Sequence, residues 1–348
     1  MISRILFIII VVLSGTHLSF SQTTGKNSPK DFGFTTFNIK GSLDSIHFIV
    51  SDTTFKVKKP VFLFCQGSLP YSLFYKEDSI HTWNQTMPFD YKKHLNEYYF
   101  VEISKPGIPV FCTSADKNSY YIDPVTKKIP EKYWKNDYVD YYVTAANEVI
   151  AFLLKQKWVD PSTIVIAGHS QGSKVVSKLG AINKHVTHEI YLAGNPLGRF
   201  DQYIRAQRRD ALTGKISGDE AQKEIDTLYA QYKKMWNNPD QIASPHGETY
   251  KQWASFSTPM LPDLLKTNIP IFAGYGTRDI TSDYCDLLPL DFIRNGKHNL
   301  TLKPYVDCDH NFFKAFFDKS GKIISTEEQW EKVADDFFKW IKETSPKK

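Results

Sequence analysis

Residues 164 to 173 read IVIAGHSQGS. Ile164, Val165, Ile166 and Ala167 form a short apolar run rich in β-branched residues, and such a run reads as a buried strand. Gly168, His169, Ser170, Gln171 and Gly172 follow without a linker, and Val175, Val176 and Leu179 then recur at helical spacing. The Gly-x-Ser-x-Gly pattern is weak by itself. Between a strand and a helix it becomes a sharp turn that lifts one serine clear of the backbone, and the residues two before and two after must be small for the chain to pass. Gly168 and Gly172 meet that need, with His169 between strand and nucleophile, so Ser170 reads as a nucleophile at a helix N-terminus, an electropositive place for developing negative charge.

Outward from this stretch the period alternates. Strand patterns cover Phe34 to Ile39, Ile46 to Val50, Pro60 to Cys65 and Tyr98 to Ile103. Val139, Tyr142, Ala146, Val149, Ile150, Leu153 and Leu154 recur every three or four residues and predict an amphipathic helix just before the quoted strand. Further strands are predicted at Ile190 to Ala193, Ile269 to Ala273 and Leu300 to Val306. Strand, helix, strand is the grammar of a mostly parallel sheet flanked by helices. The final helix carries Trp330, Val333, Ala334, Phe337, Phe338 and Ile341 on one stripe, and Ser325 with Glu328 has the spacing of a capping box at its start.

About 70 residues separate the strands near 191 and 271, where α/β units ordinarily use roughly 2 to 6. Residues 197–267 are therefore expected to form a helical cap. Ser217 with Glu220 predicts a helix start, followed by Ile225, Leu228, Tyr229, Tyr232, Met235 and Trp236 on one face, and Tyr250, Trp253 and Phe256 predict a further turn. The aromatic residues Trp236 and Trp253 are candidates for substrate contact; the competing reading makes them the insertion's own core.

A serine hydroxyl needs a base, and the base needs an orienting acid. Catalytic groups in such a sheet gather at the carboxyl ends of the strands. His185 and His188 precede a strand, His246 lies in the insertion and His298 precedes the stretch at 300 to 306, which leaves His310. Asp279 lies in a glycine-rich turn after the strand near 271 and is the expected acid, with Asp283 and Asp286 as substitutes. For the oxyanion, the N–H of Gln171 is one donor, and Gly67 or Ser68, after the apolar run ending at Cys65, supplies the other.

Gly168 to Gly172, Gln66-Gly67, Asp279 and His310 together resemble the α/β-hydrolase superfamily over residues 34 to 342, with secreted serine esterases and prolyl-oligopeptidase-type relatives the nearest in kind. The resemblance implies an α/β-hydrolase domain over residues 32–348, with Ser170 as nucleophile, His310 as base and Asp279 as acid. Gln66 stands where many members have histidine. No cofactor is implied, and no ligand cluster for a metal is apparent.

The formal charge of +5 is spread along the chain without a polybasic block, so nucleic acid is not an expected partner. Residues 1–21 read as a signal peptide: Arg4, then nine apolar residues from Ile5 to Leu13, too few to span a bilayer at about 20, then Ser19-Phe20-Ser21 before the cut. The product is expected outside the cytoplasm, periplasmic or extracellular, with no stable membrane anchor. Disulfides are then permitted. The spacing of Cys285 and Cys308 suggests a bridge bracing the acid and histidine loops, and Cys65 reads as a small buried hydrophobe.

The expected function is hydrolysis of a small-molecule carboxylic ester, or a related acyl bond, through an acyl-enzyme on Ser170. A hydrolase of small peptides or amides of the prolyl-oligopeptidase type is the first alternative. A non-catalytic binding protein on the same fold is the second.

Overall fold

A computed structural model describes residues 28–77, 83–242 and 248–345. The signal peptide expected at residues 1–21 and His246 of the insertion lie outside these residues. The chain opens with β1 (Phe34–Lys40), β2 (Ser45–Ser51), β3 (Lys59–Cys65), β4 (Phe74–Glu77), β5 (Trp83–Gln85), β6 (Tyr99–Ile103) and β7 (Phe111–Ala115). Helices α1 (Glu131–Asn136) and α2 (Val139–Leu153) lead into β8 (Val159–His169), α3 (Gln171–Ile182) and β9 (His188–Leu192). Four helices follow: α4 (Arg199–Leu212), α5 (Gly218–Trp236), α6 (Tyr250–Ser257) and α7 (Leu261–Lys266). Then come β10 (Ile271–Gly276), α8 (Leu288–Arg294), β11 (Leu300–Tyr305), β12 (Phe313–Phe317), β13 (Ile323–Glu328) and α9 (Trp330–Thr344).

Eight strands form the main sheet in the order β1-β2-β6-β3-β8-β9-β10-β11. Only β1 with β2 and β2 with β6 run antiparallel; every pair from β6 to β11 is parallel. The period-2 rule distributes the strand side chains between two cores. Phe62, Phe64, Val165 and Ala167 face α9 with its stripe from Trp330 to Ile341. Val61, Leu63, Ile164 and Ile166 face α2 and α3. A buried side chain of this size stabilises by roughly 1.5 to 3 kcal/mol, so a one-residue slip of β3 or β8 would exchange two complete sets of contacts.

Local signals fail at the last helix. Ser325 and Glu328 do not cap it; they belong to β13, where Ser325 pairs with Phe316 and Glu328 with Phe313 of β12. Helix α9 starts at Trp330 after Gln329, with no side-chain cap. The β12–β13 ladder runs through both residues, so tertiary pairing overrides the local motif. At α5 the capping box forms as expected, Ser217 accepting from the Glu220 N–H and Glu220 accepting in return. The small sheet β5-β4-β7 was not legible, because strands of three to five residues carry too little alternation to stand out.

Candidate active site

Strand β8 ends at His169, and α3 begins at Gln171, so Ser170 alone makes the turn. Its backbone sits at φ 57° and ψ −117°, a conformation costly for a residue with a side chain and tolerated where surrounding structure enforces it. The enforcement is visible. The Ser170 N–H donates to the Leu192 carbonyl, and the Ser170 carbonyl accepts from the Ser173 N–H and hydroxyl. A Cβ on Gly168 would lie 2.2 Å from the Gly172 carbonyl oxygen, and one on Gly172 would lie 1.9 Å from the Cys65 carbonyl oxygen. The obstacles are backbone, so Gly172→Ala is expected to cost about 3 kcal/mol or more of stability, or to prevent folding. An unchanged urea midpoint in this variant would contradict the close approach of β3 to the elbow.

His310 lies on the loop between β11 and β12. Its Nε2 is 2.9 Å from Ser170 Oγ, and its Nδ1 is 2.6 Å from Asp279 Oδ2. Asp279 is buried behind it. Its Oδ1 accepts from the Thr281 N–H at 2.9 Å and the Thr281 hydroxyl at 2.7 Å, and its Oδ2 also accepts from Ser282 Oγ. Burial alone would raise the Asp279 pKa, but the facing His310 and these hydrogen bonds hold it below the ordinary carboxylate value. Burial likewise disfavours the His310 imidazolium, and the Asp279 carboxylate outweighs it, leaving the His310 pKa above its usual value. The structure thus joins three residues separated by 109 and 31 positions of sequence into one hydrogen-bond chain.

The two less favoured acids are engaged elsewhere: Asp283 pairs with Arg205, and Asp286 accepts from Tyr275 OH. Gly276 lets the acid and histidine loops meet backbone to backbone, since a Cβ there would lie 2.3 Å from the carbonyl oxygens of both Cys308 and Asp309. That contact does the bracing assigned to a disulfide. Cys285 and Cys308 are both free thiols, and Cys285 Sγ instead donates to the Gly194 carbonyl. Burial raises the pKa of Cys285 and pushes Cys308 up to about 11, so neither is a reactive thiolate.

Gly67 faces Ser170: a Cβ added to it would be 3.7 Å from Ser170 Cβ. Among the described residues, the N–H groups of Gly67, Ser68 and Gln171 have no acceptor in the chain. Trp236 and Trp253, by contrast, make no ring contact with Ser170, Asp279 or His310. Trp253 packs on Phe200 and Tyr203 with the Arg199 guanidinium 5.1 Å from its ring, inside the core that α4, α5 and α6 build for themselves. Trp236 stacks edge-on to Tyr232 and is 40% exposed. Trp253 thus belongs to the insertion's own packing, whereas Trp236 lies at its surface. A shallow groove on α5 lined by Asp219, Gln222 and Asp226 includes no residue of the Ser170 site.

The sequence places His169 in the elbow but not its contacts, and it does not single out Thr281 or Ser282. His169 is buried against Trp330 and Phe312. Burial and the neighbouring His310 push its pKa down to about 3. Neutral His169 therefore donates from Nε2 to the His310 carbonyl at 2.8 Å and holds the histidine loop against the elbow. Thr281 and Ser282 grip Asp279; their position directly after an aspartate is the one available signal, since Asp-x-Thr and Asp-x-x-Ser spacings favour such turns.

No family model and no curated protein matches this sequence. Solved structures do match. The acylaminoacyl peptidase of Pyrococcus horikoshii superposes with a TM-score of 0.54 at 13% identity, over 90% of this chain and 42% of that one. The chain thus spans about two fifths of that peptidase. The α/β-hydrolase GrgF from Penicillium sp. sh18 superposes with a TM-score of 0.52 at 12% identity, over 90% of this chain and 99% of that one.

Proposed function

From the α/β-hydrolase fold that this chain has, we propose that it is a serine hydrolase that cleaves a carboxylic ester, or a related acyl bond, through an acyl-enzyme on Ser170. The observation that carries the reading is the unbroken chain from Ser170 Oγ through His310 to Asp279, at 2.9 Å and 2.6 Å, on a serine held at positive φ. In this mechanism His310 Nε2 takes the Ser170 proton as Oγ attacks the carbonyl carbon. Asp279 fixes the tautomer that leaves Nε2 free and stabilises the imidazolium. The N–H of Gln171, with that of Gly67 or Ser68, receives the oxyanion. The imidazolium then protonates the leaving group, and the same histidine activates a water molecule that releases the acid. The likeness to acylaminoacyl peptidase favours an amide or small-peptide substrate as the second reading. Export after removal of residues 1–21, and service of residues 197–267 as a lid over Ser170, belong to the same proposal.

A fluorophosphonate probe with peptide mapping tests it: the label is expected on Ser170 of the full chain. Its pH dependence tests the base. Protonated His310 cannot accept the serine proton, and its pKa is raised, so the labelling rate is expected to fall about tenfold per pH unit below a midpoint above roughly 6.5. A rate that stays flat down to about pH 4 excludes His310 as the base. Paired screens of nitrophenyl esters and aminoacyl nitroanilides then separate the ester reading from the peptide reading.

A further inference from the structure

A second buried polar group lies behind the elbow. Lys105, Tyr133, Asp137, Gln171 and Gln252 are at most 6% exposed. Lys105 Nζ donates to Gln171 Oε1 at 3.2 Å, and Gln171 Nε2 donates to Asp137 Oδ1 at 2.7 Å. The orientation of the Gln171 amide follows from chemistry, because an ammonium only donates and a carboxylate only accepts. Asp137 also accepts from Tyr142 OH at 2.7 Å and from Gln252 Nε2 of α6. On the far side, Lys105 Nζ lies 5.6 Å from the ring centres of Tyr133 and Tyr142, and Tyr133 OH donates to the Ser68 carbonyl.

Two features of this group need an explanation. Two opposite charges buried on either side of one amide contribute little net stability compared with apolar residues of the same volume, and burial pushes the Lys105 pKa down to about 8 even with Asp137 nearby to raise it. Its members also end on the two segments that carry the oxyanion donors: the amide bridge on Gln171, the first residue of α3, and the tyrosine on Ser68. Resting on the hydrolase reading above, we propose that Lys105, Asp137 and Tyr133 are positioning residues that hold the Gln171 and Ser68 backbones in register as one oxyanion hole, and that Gln252 ties the insertion to the same pair. Oxyanion donors act only when preorganised at the place where charge develops, and small displacements are expensive in rate.

The test is the second-order rate at which a fluorophosphonate modifies Ser170 in the full chain. Removing one charge strands the other, so the main variant is the neutral double Lys105→Met/Asp137→Asn, with folding checked by near-ultraviolet circular dichroism. It is expected to fold and to label about ten to a hundred times more slowly. Gln171→Met should slow labelling to a similar extent, and adding the double substitution to it should cost no more than about a further twofold, because both act through one side chain. Tyr133→Phe, which keeps the ring and removes only the hydroxyl, should also slow labelling and covers the case of a double variant that does not fold. Wild-type labelling in the folded double variant or in Tyr133→Phe overturns the proposal, as does full multiplicativity with Gln171→Met. Wild-type protein that takes no label is a different result: it removes the hydrolase reading itself, and the positioning role falls with it.

Discussion

Replacing Ser170 by alanine is expected to abolish fluorophosphonate labelling and to lower turnover of any cleaved ester by about 10⁴-fold or more, with the fold intact. The size follows from the division of labour. In the proposed mechanism alanine removes the only atom that forms the acyl bond, and what remains is acceleration from the oxyanion donors and substrate binding. The variant should still fold, because the constraints on the elbow are the Ser170 N–H bond to Leu192 and the clearance at Gly168 and Gly172, none of which involves the hydroxyl. The measurement is kcat beside the denaturation midpoint. Turnover in purified Ser170→Ala within tenfold of wild type would mean that chemistry proceeds elsewhere or without a covalent step.

The second large effect is expected at Asp279→Asn, about 10⁴-fold in kcat. The direction comes from which oxygen faces what. Oδ1 accepts from the Thr281 backbone N–H, which cannot turn away, whereas Oδ2 faces His310 Nδ1 and the rotatable hydroxyl of Ser282. The asparagine oxygen must therefore take the Oδ1 place and its NH₂ the Oδ2 place. That NH₂ donates to Nδ1, forces the ring proton onto Nε2, and points a donor at Ser170 Oγ where an acceptor is required. Ser282 can rotate to accept, so folding should survive while the tautomer is wrong. A variant with near wild-type kcat would show that Asp279 does not set the tautomer and that another group does.

Much of this was legible along the chain because the signals are local. Strand β8 and helix α3 announce themselves by a change of period, and the small residues around Ser170 are required by clearance that any chain making this turn must meet. Topology alone narrowed the histidine to His310 and the acid to the loop after the strand near 271, where Asp279 was favoured over Asp283 and Asp286, since each follows a strand of the parallel sheet at its carboxyl end. Where a local motif competed with a long-range pairing, the pairing won: Ser325 and Glu328 have capping-box spacing, yet the β12 ladder claims them. The cysteine pair failed for a similar reason, because spacing near two loops says nothing of where Sγ atoms point, and backbone contact at Gly276 already joins those loops.

By itself the sequence determined the α/β alternation, the sharp turn at a serine between two obligatory small residues, and the placement of Asp279 and His310 after strands of the sheet, all of them consequences of backbone sterics and strand periodicity. Only the tertiary structure decided what stands behind those residues. The contacts of His169 with the His310 carbonyl, of Thr281 and Ser282 with Asp279, and of the Lys105 and Asp137 pair with Gln171 join distant segments whose side chains carry no shared pattern. Buried polar groups must find partners wherever the fold brings donors and acceptors together, and that selection is made in three dimensions, after the strands have paired.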